Sequence, residues 1–173
     1  SYCSAVEFEA KARLRKRLAK FLASKDAQKL IRTLLDARTG QLNIFFHQYL
    51  ARQHNLEDFD FTIDHVVQLF QRVLDHETRY KPDGLKALGI IVLIFGREFT
   101  IKAMPTPIKV DNPLGLRGLD TDAEVVQLAH QLVALQHYRN PYIHPEISEL
   151  EKLSKIRKTA IDCLKLLARL PQQ

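Results

Sequence analysis

Apolar residues recur at intervals of three and four along almost the whole chain, and this periodicity restricts the fold more than any other feature. Between residues 4 and 23, Val6, Ala10, Leu14, Leu18, Phe21 and Leu22 fall on one side of a helix. Residues 26 to 37 and 41 to 54 read as two further helices, parted by the glycine stop of Arg38-Thr39-Gly40. Leu42, Phe45, Phe46, Tyr49 and Leu50 make the stripe of the second. Thr62 is placed to cap a helix running to about Tyr80, with Val66, Phe70 and Val73 inward. Pro82-Asp83-Gly84 then breaks the chain, and a buried helix is expected through about Phe99. Its apolar run from Leu88 to Phe95 fits a strand by pattern alone, but the Leu-Lys-Ala lead-in favours helix.

Residues 102 to 120 differ, because Pro105, Pro107, Pro113, Gly115 and Gly118 forbid a continuous helix. An ordered loop of this length either serves a function or connects loosely. Asp120 or Thr121 starts the next helix, which carries Val125, Leu128, Leu132 and Leu135 to about Tyr138. A last helix is expected from Pro145 or Ser148 to Leu170, with Ser148 and Glu151 at capping-box spacing. Its apolar repeat comprises Ile147, Leu150, Leu153, Ile156, Ala160, Ile161, Leu164 and Leu167. The fold class is therefore all-α, a bundle of about six to seven helices. One domain spans residues 1–173: N-terminal helices over 1–100, a Pro/Gly loop over 101–120 and a final helix pair over 121–170.

The net charge of +6 favours anionic partners such as nucleic acid or a membrane face, and a soluble protein that happens to be basic fits it as well. Arg13, Arg15, Lys16 and Arg17 on the first helix and Lys152 and Lys155 on the last are candidate RNA contacts. A solvated face is the more ordinary reading of such a cluster. Two cysteines, Cys3 and Cys163, make no disulfide framework and suit a reducing, cytoplasmic setting. The longest apolar run is too short to span a bilayer, and the charged N-terminus resembles no secretory signal. The chain starts at Ser1 and has Met104 as its only methionine, which reads as a piece of a longer protein or a processed end.

Chemistry is concentrated in one segment, Arg139-Asn140-Pro141-Tyr142-Ile143-His144, between the two last helices. RNA breaks when a 2′-hydroxyl attacks the adjacent phosphate. A catalyst moves two protons and neutralises the crowded phosphate. His144 suits proton transfer because an imidazole titrates near neutral pH. Arg139 suits the phosphate because its planar guanidinium stays charged and binds two oxygens. Asn140 can hold a phosphate or an imidazole by hydrogen bonds. Pro141 and Pro145 stiffen the backbone around all three. One histidine is too few for separate acid and base, so two copies about a two-fold axis would complete the cleft.

Arg139-Asn140-x-x-x-His144 resembles the signature of the HEPN superfamily: an arginine, a polar neighbour, then a histidine after four to six intervening positions. Among thirteen arginines, Arg139 alone has a histidine at that spacing. The resemblance covers about residues 122 to 170. It implies an up-and-down helical core in the C-terminal half and a metal-independent endoribonuclease needing no cofactor. It also implies a homodimer with facing motifs, and a role in RNA processing, toxin action or antiviral defence. Partners would be RNA and an antitoxin or larger defence complex, with no membrane. Carried over, Arg139 would polarise the phosphate, Asn140 would support it and His144 would transfer a proton or hold the 2′-hydroxyl. Where paired toxins of this family carry a tyrosine two residues after the histidine, this chain has Glu146, so the modification of that tyrosine does not carry over.

Other readings stand beside this one. His144 could cap the last helix while Arg139 pairs with Glu146 or Glu149. Tyr138 and Tyr142 could stack on bases or simply pack, and His137 is close enough in sequence to support the motif. His47 and His54, like His130 and His137, are seven apart, too far along a helix to share one metal. Arg72 and His76 share a helix face with Asp75 and Glu77 nearby, which suggests a solvated charge cluster. A noncatalytic dimerisation module and a small-nucleotide sensor are the alternative functions.

Overall fold

Caps and apolar spacing set the helices. The computed structural model describes residues 1–36, 42, 61–101, 108–116, 118–119, 122–138 and 149–171. Ser1 caps α1 (Tyr2–Ala10) by accepting the Ser4 N–H at 3.2 Å. A π-helical turn (Lys11–Arg15) joins α1 to α2 (Lys16–Leu22). The turn has a cause in the sequence. Val6, Ala10, Leu14, Leu18 and Leu22 are buried at strict four-residue spacing. In an α-helix that spacing drifts roughly 40° per step. The wider π turn reverses part of the drift and keeps all five on the core side. Ser24 caps α3 (Lys25–Leu35) by accepting the Ala27 N–H, and Gln28 Nε2 donates to the Leu22 carbonyl at 2.8 Å to close the corner. The expected helix at 41 to 54 lies outside the described residues, apart from helical, buried Leu42.

Thr62 begins α4 (Ile63–His76), as its sequence position predicts. The α-helix ends earlier than expected, and a 3₁₀ turn (Glu77–Arg79) covers the rest of the stretch to Tyr80. Gly84 opens α5 (Leu85–Phe95), which is buried continuously from Leu88 to Phe95. A helix apolar on every side belongs at the centre of a core. Phe95 has Phe21 at 5.0 Å and Phe70 at 6.0 Å between ring centroids. The expected extension of this helix to Phe99 is corrected: Gly96 stops it, and Glu98–Ile101 forms β1. Strand β2 (Ile108–Asp111) pairs antiparallel with β1, Glu98 opposite Asp111 and Ile101 opposite Ile108. Part of the segment read as a Pro/Gly loop is therefore a short hairpin on an otherwise helical chain.

The last two helices are α6 (Asp122–Tyr138) and α7 (Glu149–Ala168). Gly84 lies beside Gln136, Gly89 against Ala129 and Val133, and Gly96 against Val125, so α5 and α6 run antiparallel. Arg169, just past α7, pairs with Glu124 in the first turn of α6, its Nη2 donating to Oε1 at 3.2 Å. Hence α6 and α7 are antiparallel too. The buried apolar residues of all these helices form one cluster. The protein is an all-α helical bundle, with seven α-helical segments among the described residues. None of its described helices is long and apolar enough to cross a membrane.

One feature of the apolar pattern needs correction. Leu150 and Leu153, which belong by spacing to the apolar repeat of the last helix, are 80% and 60% exposed. The core side of α7 is carried instead by Ala160, Cys163, Leu166 and Leu167.

Candidate functional site

The segment with the strongest chemical signature joins α6 to α7. Arg139, Asn140, Tyr142, His144, Glu146 and Ser148 lie outside the described residues. Their frame is described on both sides: the segment leaves α6 at Tyr138 and enters α7 at Glu149, two helices that pack against each other. His137 and Tyr138 are half-buried in the last turn of α6, their rings edge to face at 6.3 Å.

The basic residues of the first helical rod divide by use. Arg13 is committed within the fold: its Nε donates to Glu9 at 3.0 Å, and its Nη1 donates to the carbonyls of Ala168 and Leu170. It thus closes the C-terminal end of α7, where backbone carbonyls lack helical partners. Arg17 Nη1 donates to the Gly115 carbonyl at 3.1 Å. Arg15 is half-buried, and its Nε is buried without a hydrogen-bond partner. Lys16 and Lys155 are exposed, and Lys152 is half-buried. The cluster read from sequence as one basic face therefore holds two structural arginines as well as solvent-facing lysines.

A cleft that the sequence does not announce opens where α4, α5 and α6 meet. It measures 330 Å³. His65, Gln68 and Arg72 come from α4, Lys86 from the first turn of α5, and Gln136 from the last turn of α6. Leu69, Ala87 and Ile90 supply its apolar part, and Asp83 and Gly84 stand at the amino end of α5. The Thr62 backbone N–H donates to His65 Nδ1 at 2.9 Å, so the neutral ring carries its proton on Nε2. Burial lowers the His65 pKa, the Lys86 cation lowers it further, and Asp64 opposes both. Asp83 pairs with Lys11 at 3.8 Å, an exposed and weak contact. No short-range pattern could have assembled this set, because Gln136 lies about fifty residues beyond Gly84 and reaches it only through antiparallel helix packing.

Elsewhere, buried Arg97 lines a 270 Å³ cleft with Glu98 and Asp122. Burial lowers the Arg97 pKa, and Asp122 partly offsets that. A hydrogen bond with Asp111 across the hairpin raises the pKa of Glu98. Cys163 is fully buried and burial pushes its thiol up to about 12, which makes it inert as a nucleophile. Among the described residues, no group of three or more His, Cys, Asp or Glu could hold a metal ion. Comparison with family models, curated proteins and solved structures finds no match.

Proposed function

We propose that this chain is a HEPN-type, metal-independent endoribonuclease that works as a homodimer on single-stranded or looped RNA. The observation that carries the reading is the Arg139-Asn140-x-x-x-His144 segment, set between the packed helices α6 and α7. In the reaction, the 2′-oxygen bonds to phosphorus and the bond to the 5′-oxygen breaks, leaving a 2′,3′-cyclic phosphate and a 5′-hydroxyl. His144 and its dimer mate take the proton from the nucleophile and return one to the leaving oxygen. Arg139 neutralises the pentacovalent phosphate, and Asn140 orients it. Unpaired RNA suits this chemistry because its backbone can reach in-line geometry.

Exposed Leu150 and Leu153, six and nine residues after His144, support the dimer. Two large apolar side chains on one helix face next to the motif suit burial against a second copy. The same leucines favour a second reading, a noncatalytic dimerisation module.

The test is cleavage of a labelled mixed-sequence RNA in excess EDTA. His144→Ala and Arg139→Ala are each expected to slow cleavage by about 10²–10⁴-fold. Leu150→Glu with Leu153→Glu should yield a monomer by sedimentation and lose activity with it. A dimeric native chain that leaves RNA intact would overturn the ribonuclease reading in favour of the module.

A further inference from the structure

The cleft among α4, α5 and α6 has a chemical bias of its own. Two cations, Arg72 and Lys86, face one carboxylate, Asp83, which already pairs with Lys11. The amino end of α5 adds positive potential, because an eleven-residue helix presents its unpaired N–H groups there. Most helices shield that end with a capping side chain. Here the cap is Gly84, with φ +89 and no side chain, so backbone approach stays open. An apolar floor of Leu69 and Ile90 and the amide of Gln68 line the rest of the cleft, and the Gln136 amide stands beside Gly84. Amides offer both a donor and an acceptor, as the edge of a base requires.

Two other clefts among the described residues lack this combination. The one at Arg97 carries Glu98 and Asp122. The one at Lys25 and Arg32 adjoins α3, whose cap Ser24 already accepts the Ala27 N–H.

We infer that the α4–α5–α6 cleft binds a nucleoside phosphate, with the phosphate at Arg72, Lys86 and the amino end of α5. The base lies over Leu69 and Ile90, its edge met by Gln68. The volume of 330 Å³ falls in the range of small-molecule sites. Gln136 stands three residues before Arg139, which makes a nucleotide of the RNA strand the favoured source. That choice of source rests on the ribonuclease reading, whereas the site itself does not.

The probes are a fluorescent single-stranded RNA decamer, 2′-O-methylated so that it cannot be cut, and adenosine and uridine monophosphates. Binding is read by anisotropy and calorimetry in EDTA. Arg72→Glu and Lys86→Glu are expected to weaken decamer binding at least tenfold each. Each should also lower the slope of log affinity against log salt by about 0.7. Exposed Lys29→Glu serves as the control for net charge. Arg72→Gln and Lys86→Gln replace the charge reversals if those lower the melting temperature. Monophosphate binding that the cleft variants abolish, without decamer binding, upholds the site and assigns it to a free nucleotide. Native affinity for both probes in the cleft variants, or binding of neither probe by the native chain, overturns the inference. Decamer binding lost in the cleft variants, with unmodified RNA left uncut by the native chain, upholds the site while the ribonuclease reading fails.

Discussion

Gly89 sits where α5 crosses α6, and replacing it with alanine sets two physical effects against each other. A Cβ built there would lie 2.8 Å from the Ala129 carbonyl oxygen, 2.8 Å from Val133 Cγ2 and 3.3 Å from Leu132 Cβ. Comfortable carbon–carbon contact needs about 3.5–4.0 Å. The Val133 methyl cannot swing aside cheaply, because a β-branched side chain in a helix has one favoured rotamer. The Ala129 oxygen belongs to the backbone and moves only if α6 moves. Relief therefore requires the two helices to part by several tenths of an ångström along a fully buried crossing. Overpacking of this kind costs about 1–3 kcal/mol, and the lost dispersion of parted helices falls within the same range. Alanine returns about 1 kcal/mol in helix propensity. Because the crossing involves backbone, the upper part of the range applies, and the net destabilisation should be about 2 kcal/mol. At this chain length that lowers Tm by about 4–8 °C. Thermal unfolding followed by circular dichroism measures it. Val133→Ala in the same chain makes room for the new methyl, so the double variant should lose at least about 0.5 kcal/mol less than the sum of the singles. A rise in Tm for Gly89→Ala alone would refute the close crossing and leave only the propensity effect.

The same crossing shows what was legible in the sequence. The inward face of α4, from Val66 through Phe70 to Val73, follows directly from apolar spacing, and Thr62 marks its start. The continuous burial of α5 follows from a run with no polar residue. Periodicity fails where competing local chemistry decides. Gly96 ends α5 four residues early, and the chain turns into a two-stranded hairpin that Pro105 and Pro107 had disguised as loop. Leu150 and Leu153 keep helical spacing yet face outward, because spacing names a stripe without naming what covers it. Arg13 looks like one of a row of surface cations, but its partners are carbonyls more than 150 residues away. The motif at Arg139 to His144 could be read because its chemistry is contiguous. The cleft could not, because it is built from three helices that only tertiary packing brings together.

Two further perturbations probe single contacts. Arg13→Ala removes the bond to Glu9 and uncovers the Ala168 and Leu170 carbonyls at the end of α7. Loss of charge-assisted bonds of this kind costs about 1.5–3 kcal/mol, so urea unfolding should show a lower midpoint at unchanged slope; an unchanged midpoint would mean that water serves those carbonyls equally well. His65 makes stability depend on pH in a defined direction. Burial first, and the Lys86 cation second, hold its folded pKa below the ordinary value of 6.5. The unfolded chain therefore takes up the proton first as pH falls. Stability from this group is complete above about pH 6.5 and declines below it. The decline ends once pH passes the lowered folded value, where both states are protonated. Protonation also removes the lone pair on Nδ1 that accepts the Thr62 N–H, so the start of α4 should loosen over the same window. His65→Gln should flatten this part of the profile, read as Tm against pH between about 7 and 5. An equally steep profile in His65→Gln would assign the acid sensitivity to other groups.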